Sequence, residues 1–276
     1  MSPWGVEPLC TPACAAHAAP RVPPGAAVRR CAGLARVLAR ALARGEGLAE
    51  PETLRTEARR VLAALDVRLN ADPGSLTVPG TGTLVVANHI SWLDVIALLA
   101  VEPVPFVAKR EVGTWPVIGT LVRRAGTRFL DRDGLRELPR AVAELTRELR
   151  AGRSVLVFPQ ATTWCGADGG RFARATFQAA VDAGAPVRPV TVEYAQHGRT
   201  STAPGFFGDE PFPASLRRVA RARDLTVRVT AHPPVAGADR RTLATAARAA
   251  VTGTRTGAGA GAGTGVPARR PSVVRR

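Results

Sequence analysis

The chain has 276 residues, of which 46% are hydrophobic and 22% are charged, and these proportions are typical of a folded protein rather than a disordered one. Aromatic residues make up only 5%, which disfavours a sheet that binds nucleic-acid bases by stacking. The formal net charge of +16 favours an anionic partner, such as phospholipid headgroups, nucleic acid or a phosphorylated substrate. No uncharged apolar run reaches the roughly 18 residues of a membrane span, so we expect none.

The cysteine pattern indicates neither a disulfide scaffold nor a metal centre. Four cysteines are too few for a disulfide framework in a chain of this length. Cys10, Cys14 and His17 have a loose metal-ligand spacing, but no further ligand follows them nearby in the sequence, so we expect no metal site. Because Glu7 comes early and no long apolar core follows it, the N-terminus is unlike a secretory signal, and we expect a reducing, cytoplasmic compartment.

Composition divides the chain into four segments. Residues 1–27 are rich in Pro, Ala and Gly and are predicted to be irregular. Residues 28–70 are predicted to form two amphipathic helices, and residues 71–252 an α/β domain. The low-complexity residues 253–276 are predicted to form a disordered basic tail.

The first predicted helix, over residues 28–44, combines an apolar stripe with a basic side. Apolar residues recur every three or four positions, and the opposite side carries Arg29, Arg36, Arg40 and Arg44. Such a helix either packs on the domain with its arginines in water or lies in the headgroup layer of an anionic membrane. A second helix is predicted over residues 51–69.

From residue 83 onward, strand and helix patterns alternate. This order predicts βαβ crossovers, and hence an α/β fold with a largely parallel central sheet flanked by helices and preceded by the N-terminal helical pair. Strands are predicted at 83–87, 105–108, 127–130, 154–158, 187–193 and 225–231, and helices at 92–100, 116–125, 135–150, 171–183, 213–223 and 240–251.

Residues suited to acid–base catalysis follow the first predicted strand. Asn88 and His89 come directly after it, and Asp94 lies five residues beyond the histidine. In an α/β fold this is the carboxyl edge of the sheet, where ligands bind. A carboxylate that holds the imidazole makes His89 a general base for an alcohol, whose own hydroxyl then attacks. The alternative is structural, with the pair capping the start of a helix.

Further polar residues follow the later strands. Lys109 follows the second strand, Arg132 the third, and Gln160, Thr162 and Thr163 the fourth. Lys109 is the single lysine among 38 basic residues. It either marks a place where a compact ammonium is required or stands there by chance.

Together these segments resemble the lysophosphatidate-type glycerolipid acyltransferase family. The family has four blocks: Asn-His with an aspartate five residues after the histidine, Gly-x-x-Phe-x-x-Arg, Phe-Pro-Glu-Gly-Thr, and Val-x-Pro. In this chain they occur in the same order at 88–94, 126–132, 158–162 and 187–189. Two positions depart from the family pattern, because Gln160 replaces its glutamate and Ala161 its glycine.

The resemblance implies an enzyme of phospholipid biosynthesis. It would move a fatty acyl group from acyl-CoA or acyl-carrier protein to the free hydroxyl of a lysophospholipid, chiefly 1-acyl-sn-glycerol-3-phosphate, without a metal or other cofactor. It would work as a peripheral protein on the anionic, cytoplasmic face of the cell membrane. His89 would be the base and Asp94 its orienting partner. Substrate binding would fall to Asn88, Lys109, Arg132, Gln160, Thr162 and Thr163.

Three alternatives remain open. The acceptor could be a lyso-ornithine lipid, since no motif encodes the headgroup. The chain could also be a weakened relative that binds lipid without turnover, because Gln160 lacks the charge with which a glutamate holds a phosphate-binding arginine. Nucleic-acid binding rests on charge alone, and we do not expect it, because the basic residues are dispersed and no recognition module is visible.

Overall fold

The structure is a computed structural model that describes the larger part of the chain. It describes residues 10–15, 20–72, 74–109, 113–114, 117–130, 138–166, 169–208 and 210–253, with only the backbone of 108–109 and 128–130. The predictions for Arg132, His17 and the tail beyond residue 253 therefore lie outside the described residues.

Eight helices and eight strands make up this part of the chain. The helices are α1 (Pro24–Ala43), α2 (Pro51–Ala64), α3 (Trp92–Val101), α4 (Ile118–Arg124), α5 (Leu138–Arg150), α6 (Ala175–Ala183), α7 (Phe212–Arg221) and α8 (Arg240–Thr252). The strands are β1 (Arg68–Ala71), β2 (Leu84–Ala87), β3 (Val107–Lys109), β4 (Arg128–Leu130), β5 (Val155–Val157), β6 (Val187–Gln196), β7 (Arg199–Thr200) and β8 (Leu225–Ala231). Short 3-10 helices lie at Pro12–Ala15 and Gly45–Ala49.

The central sheet has the strand order β1-β8-β6-β2-β5, with β7 paired to β6. The pairs β1–β8, β2–β6 and β2–β5 are parallel, whereas β6 runs antiparallel to β8 and β7. A parallel bridge between Phe106 and Leu156 brings the β3–β4 pair beside β5. The predicted α/β fold with a largely parallel sheet is thus confirmed.

Helices cover both faces of the sheet, and the alternation along β2 shows how the two cores are separated. Val85 and Ala87 belong to a core built with α1, α2, α3 and α7. Leu84 and Val86 belong to a second core built with α5, α6 and α8. All four residues are fully buried, as expected for a central parallel strand with helices on both sides.

The N-terminal helical pair is part of this fold. Leu34 of α1 and Leu62 of α2 lie in the same core as Val85. The boundary predicted at residue 70 falls inside β1, which pairs with β8. The helix predicted to continue to residue 69 ends at Ala64, because Asp66 adopts a φ of 56°. At this point the chain pairs as a strand with β8 instead of continuing the helix that its local periodicity predicts.

The apolar stripe of α1 packs on the domain. Leu34 and Ala41 are buried, and the Arg30 guanidinium donates to the carbonyl oxygens of Ala220 and Ala222 at 3.0 and 2.7 Å. The helix begins at Pro24, so the end of the segment predicted to be irregular is helical. Among the described residues, no helix is both long and apolar enough to cross a membrane.

Candidate active site

Strand β2 ends with an asparagine that continues the sheet through its side chain. The Asn88 carboxamide donates to the carbonyl of Val192 at 2.9 Å and accepts from the N–H of the same residue at 2.8 Å. These two bonds replace one rung of the ladder to β6. Asn88 is fully buried, so it positions the residue that follows, and these contacts give no support to its predicted contact with substrate.

His89 and Asp94 form a hydrogen-bonded pair where β2 leads into α3. The His89 Nδ1 and Asp94 Oδ2 atoms are 2.8 Å apart. The His89 side chain is 22% exposed, whereas Asp94 is fully buried. A proton on Nδ1 that is shared with the carboxylate leaves the lone pair of the imidazole on Nε2, which is the arrangement of a general base.

The Asp94 carboxylate is held by four donors. Besides the imidazole, Oδ2 accepts from the N–H groups of Ile90 and Ser91 at 2.7 and 2.9 Å. Oδ1 accepts from the Tyr194 hydroxyl at 2.6 Å. The Ser91 side chain in turn accepts from the first turn of α3, which completes a capping box. The structural interpretation of this spacing is therefore confirmed, and it is compatible with the catalytic one, because the same carboxylate also contacts His89.

Tyr194 is fully buried against this carboxylate, and its ionisation is suppressed. Burial first, and the negative charge of Asp94 second, raise the pKa of the Tyr194 phenol well above its usual value. The hydroxyl therefore stays protonated and remains a donor to Asp94. The four donors satisfy the hydrogen-bonding capacity that this carboxyl group would otherwise lose on burial.

Aromatic stacking fixes the plane of the imidazole. The rings of His89 and Phe158 are stacked with centroids 4.1 Å apart and an interplanar angle of 20°. Phe158 follows β5, the strand next to β2. The first and third sequence blocks thus meet at the carboxyl edge of the sheet.

Gln160 links the two loops from within the protein. Its side-chain oxygen accepts from the backbone N–H of His89 at 2.6 Å, and its NH₂ group donates to the carbonyl of Gly169. Only 1% of the residue is exposed. Its observed contacts are those of a positioning residue, and direct contact with substrate stays a prediction that this burial does not favour.

The turn after β5 carries an alanine in a conformation that favours glycine. Ala161 has a φ of 62°, and its N–H donates to the carbonyl of Phe158 at 3.2 Å. An L-residue in this region is strained by about 1–2 kcal/mol. This geometry explains why a glycine suits the position in the family that the sequence resembles.

The threonines and basic residues of the sequence prediction lie in different surroundings. Thr162 is half-buried, and the Thr163 hydroxyl donates to the carbonyl of Phe206. The backbone places Lys109 at the carboxyl end of β3, at the same edge of the parallel strands as His89 and Asp94. Arg132 lies outside the described residues.

A third loop, residues 203–208, contacts the loops that carry Ile90 and Thr163. The N–H of Phe206 donates to the carbonyl of Ile90 at 3.0 Å. Arg218 of α7 holds this loop, because its guanidinium donates to the carbonyls of Ala203 and Gly205 and pairs with Glu210. The backbone around His89 is therefore restrained from two sides.

Sequence reasoning missed Tyr194 and Phe158 as parts of the site. Tyr194 is the single tyrosine of the chain and lies in a buried strand, and a phenol in a strand core requires a polar partner. The sequence therefore indicates that Tyr194 has a polar partner, but it does not identify Asp94 as that partner, because the two residues are 100 positions apart. The stacking of Phe158 on His89 depends on the pairing of β2 with β5, which no local pattern shows.

Comparison with known proteins agrees with this geometry. Residues 70–193 match the family model described as Acyltransferase. The chain is 39% identical over 171 residues to a 1-acyl-sn-glycerol-3-phosphate acyltransferase of Neisseria meningitidis, covering 62% of this chain and 67% of the relative. It is 34% identical over 196 residues to a lyso-ornithine lipid O-acyltransferase of Pseudomonas aeruginosa, covering 70% of this chain and 74% of the relative.

A solved structure shares the fold. The crystal structure of a 1-acyl-sn-glycerophosphate acyltransferase from Thermotoga maritima superposes with a TM-score of 0.55 at 19% identity, over 82% of this chain and 90% of the other. The fold, the His89–Asp94 pair at the edge of the sheet and the sequence relatives agree. The chain therefore belongs to the lysophosphatidate-type glycerolipid acyltransferase family.

Proposed function

We propose that this acyltransferase moves a fatty acyl group from a thioester, acyl-CoA or acyl-carrier protein, to the free hydroxyl of 1-acyl-sn-glycerol-3-phosphate. The observation that carries the proposal is the His89–Asp94 contact of 2.8 Å at the carboxyl edge of the sheet. Among the described residues, Asp94 is the only side chain hydrogen-bonded to the imidazole. No serine or cysteine of this part of the chain is thus placed as a nucleophile, which fits direct attack by the acceptor hydroxyl.

The proposed reaction uses this geometry. His89 Nε2 removes the proton of the acceptor hydroxyl while that oxygen attacks the thioester carbonyl carbon. The tetrahedral intermediate then collapses, the C–S bond breaks, and the proton passes from the imidazolium to the leaving thiolate. Asp94 stabilises the imidazolium meanwhile, and Tyr194 and the two N–H groups on Asp94 keep the carboxylate in place.

The acceptor phosphate is proposed to bind beside this pair. Lys109, at the end of β3, and Arg132, in the second sequence block, supply positive charge, and arginine makes bidentate contacts with phosphate. Thr162 follows the turn after β5 and offers a hydroxyl donor, whereas the Thr163 hydroxyl would have to leave the carbonyl of Phe206 before it could donate to phosphate. Asn88 and Gln160 support this site from inside the protein, through the contacts that hold the backbone of His89.

The protein is proposed to act as a peripheral protein on the cytoplasmic face of an anionic membrane. Because the apolar stripe of α1 is used in the core, contact with lipid falls to the outer side of that helix. That side carries the exposed residues Val28, Arg29, Arg36 and Arg40. Electrostatic attraction by such arginines contributes about 1 kcal/mol each at an anionic surface.

A lyso-ornithine lipid is the second candidate acceptor. It is supported by the identity to the Pseudomonas aeruginosa relative, which extends over more of the chain than the match to the Neisseria meningitidis relative. The chemistry at His89 is the same for both acceptors, since each offers a free hydroxyl. The two candidates differ only in the headgroup that the loops after β3, β4 and β5 must bind.

The test is an acyl-transfer assay with the purified full chain. Radiolabelled acyl-CoA and acyl-carrier protein are offered with lysophosphatidate, lyso-ornithine lipid or lysophosphatidylethanolamine in mixed micelles. Labelled phosphatidate as the main product supports the proposal, and labelled ornithine lipid supports the second candidate. Donor hydrolysis without transfer to any acceptor would overturn both and favour a weakened lipid-binding relative.

A further inference from the structure

Two cysteines near the N-terminus, Cys10 and Cys14, meet a third, Cys165, next to the loop that contacts the backbone of His89. The sulfur atoms of Cys10, Cys14 and Cys165 all lie within 4.8 Å of one another. The Cys10 and Cys165 sulfurs are 2.7 Å apart, and the backbone N–H of Cys165 donates to the Cys10 sulfur at 3.2 Å. The spacing of Cys10 and Cys14 could not reveal this arrangement, because the third cysteine comes 151 residues later.

The N-terminal segment is held so that its two thiols face the same point. A 3-10 helix covers Pro12–Ala15, and in it the Cys14 N–H donates to the carbonyl of Thr11 at 2.9 Å. The Thr202 hydroxyl donates to the carbonyl of Cys14 at 2.6 Å. The position of the segment is therefore set by the loop that precedes residues 203–208, and not by the sulfur contacts alone.

We propose that these three thiols are a binding site for a thiophilic divalent metal ion, with Zn²⁺ as the ion of choice. Three sulfurs around one point match the ligand number that a zinc ion takes from a Cys₃ set, with the fourth position left for water or a further ligand. A disulfide would use only two of the three sulfurs. The Zn–S distance of about 2.3 Å places sulfurs of a tetrahedral site roughly 3.8 Å apart, which is within the 4.8 Å of the cluster.

The N–H of Cys165 adds a second feature of thiolate sites. A sulfur that binds a metal is an anion, and backbone donors around it stabilise its charge and orient it. The 2.7 Å separation of Cys10 and Cys165 would widen by about 1 Å when an ion enters, to reach the tetrahedral spacing. Within the described residues no histidine, carboxylate or fourth cysteine joins the group.

The site connects the N-terminus to the catalytic loop. Trp164, next to Cys165, donates its backbone N–H to the carbonyl of His89 at 2.8 Å. Its side chain packs against Gly169 and Gly170, where an added Cβ atom would lie within 3 Å of it. An ion bound by Cys165 would therefore restrain the loop that supports the backbone of the proposed base.

The experiment measures metal directly, so it is independent of acyl transfer. The full chain is purified under reducing conditions, stripped with a chelator and titrated with Co²⁺ and then Zn²⁺. We expect one ion per chain, thiolate-to-cobalt charge-transfer absorption, tetrahedral d–d bands, and displacement of Co²⁺ by Zn²⁺. The variants Cys10→Ser, Cys14→Ser and Cys165→Ser should each weaken Zn²⁺ binding by more than about tenfold.

Cys31→Ser is the matched control. Cys31 lies on α1 and packs against the core rather than in the cluster, so this variant should bind both metals like the wild type. Circular dichroism is used to check that each variant is folded. Substoichiometric Co²⁺ without charge-transfer bands, or equal binding by the wild type and Cys165→Ser, would overturn the proposal. A disulfide between Cys10 and Cys165 would also overturn it. The disulfide would be recognised by a chain mass lower by two hydrogens and by a cross-linked peptide that contains both cysteines.

Discussion

Gln160 holds the backbone of His89 through a hydrogen bond of 2.6 Å from the histidine N–H to the glutamine side-chain oxygen. The other end of the same carboxamide donates to the carbonyl of Gly169. A glutamate could accept the first bond but has no N–H for the second. The family that this chain resembles has glutamate at the position, so here the glutamine and its loop are matched to each other.

Gln160→Glu should therefore lower both stability and acyl transfer. The new carboxylate would face the Gly169 carbonyl without a donor, in a place where only 1% of the residue is exposed. An unsatisfied buried polar contact costs about 1–3 kcal/mol. Urea unfolding monitored by circular dichroism and the kcat for the preferred acceptor measure the two effects. Gln178→Glu on α6, beside Asp182, is the control and should change stability by less than about 0.5 kcal/mol.

The outcome also bears on the acceptor. If Gln160→Glu instead lowers the KM for lysophosphatidate and leaves kcat unchanged, the carboxylate has reached a phosphate-binding arginine, and the positioning role is wrong. If it lowers activity with every acceptor, the loop is adapted to glutamine. Comparing lysophosphatidate with lyso-ornithine lipid in the same variant separates the two results.

His89→Ala should abolish acyl transfer while the protein stays folded. Loss of a general base lowers the rate by a factor of about 10² to 10⁴. His197→Ala is the control, because His197 lies on the half-exposed turn between β6 and β7. Initial rates at saturating donor measure the effect. Near-wild-type turnover in folded His89→Ala would remove His89 from the mechanism.

Tyr194 predicts how the protein responds to alkaline pH. Its pKa is raised above the usual value near 10 by burial and then by Asp94. The folded state therefore keeps a proton that the unfolded state loses, so the stability that it contributes is present below about pH 10 and falls as the pH rises further. Tyrosinate absorbance near 295 nm reports this residue alone, since the chain has one tyrosine.

The folded protein should show no tyrosinate absorbance at pH 10, and the signal should appear together with unfolding. Tyr194→Phe should remove this part of the pH dependence and lower stability by about 1–3 kcal/mol, because Asp94 Oδ1 loses its donor. A phenol that titrates at its ordinary pKa in the folded protein would show that the contact with Asp94 does not form.

The sequence allowed the main elements and the contact between His89 and Asp94 to be predicted, because both depend on short spacings. Strand β8 was predicted with its observed bounds, and the segment 88–94 contains both members of the pair. The features that were not predicted depend on distant partners. Strand β1 is specified by pairing with β8, the third cysteine of the cluster comes from another loop, and the buried position of Gln160 follows from the contact between two loops.

Ala161→Gly should stabilise the protein. The alanine at a φ of 62° is strained by about 1–2 kcal/mol, and glycine removes that strain while adding about 0.4–1 kcal/mol of entropy to the unfolded chain. The expected net gain is about 0.5–1 kcal/mol, or an increase in Tm of roughly 1–4 °C. Differential scanning calorimetry measures it.

The control is Ala143→Gly, at an exposed position of the helix α5. It should have the opposite effect and lower stability by about 1 kcal/mol. A lower Tm for Ala161→Gly would contradict the strain.

The outer side of α1 should determine binding to anionic vesicles. Arg29, Arg36 and Arg40 are exposed on it, while the buried side packs in the core. Replacing all three arginines with glutamine should weaken binding to phosphatidylglycerol vesicles by roughly 100- to 200-fold, since each surface charge contributes about 1 kcal/mol and the three together about 3 kcal/mol. Cosedimentation at low and high salt measures it, and binding of the wild type should fall as salt rises.

The control for this prediction replaces Arg140, Arg147 and Arg241, which are exposed on α5 and α8 over the opposite face of the sheet. It carries the same change in net charge. Equal losses in the two variants would mean that the total charge of +16, and not α1, attracts the protein to the membrane.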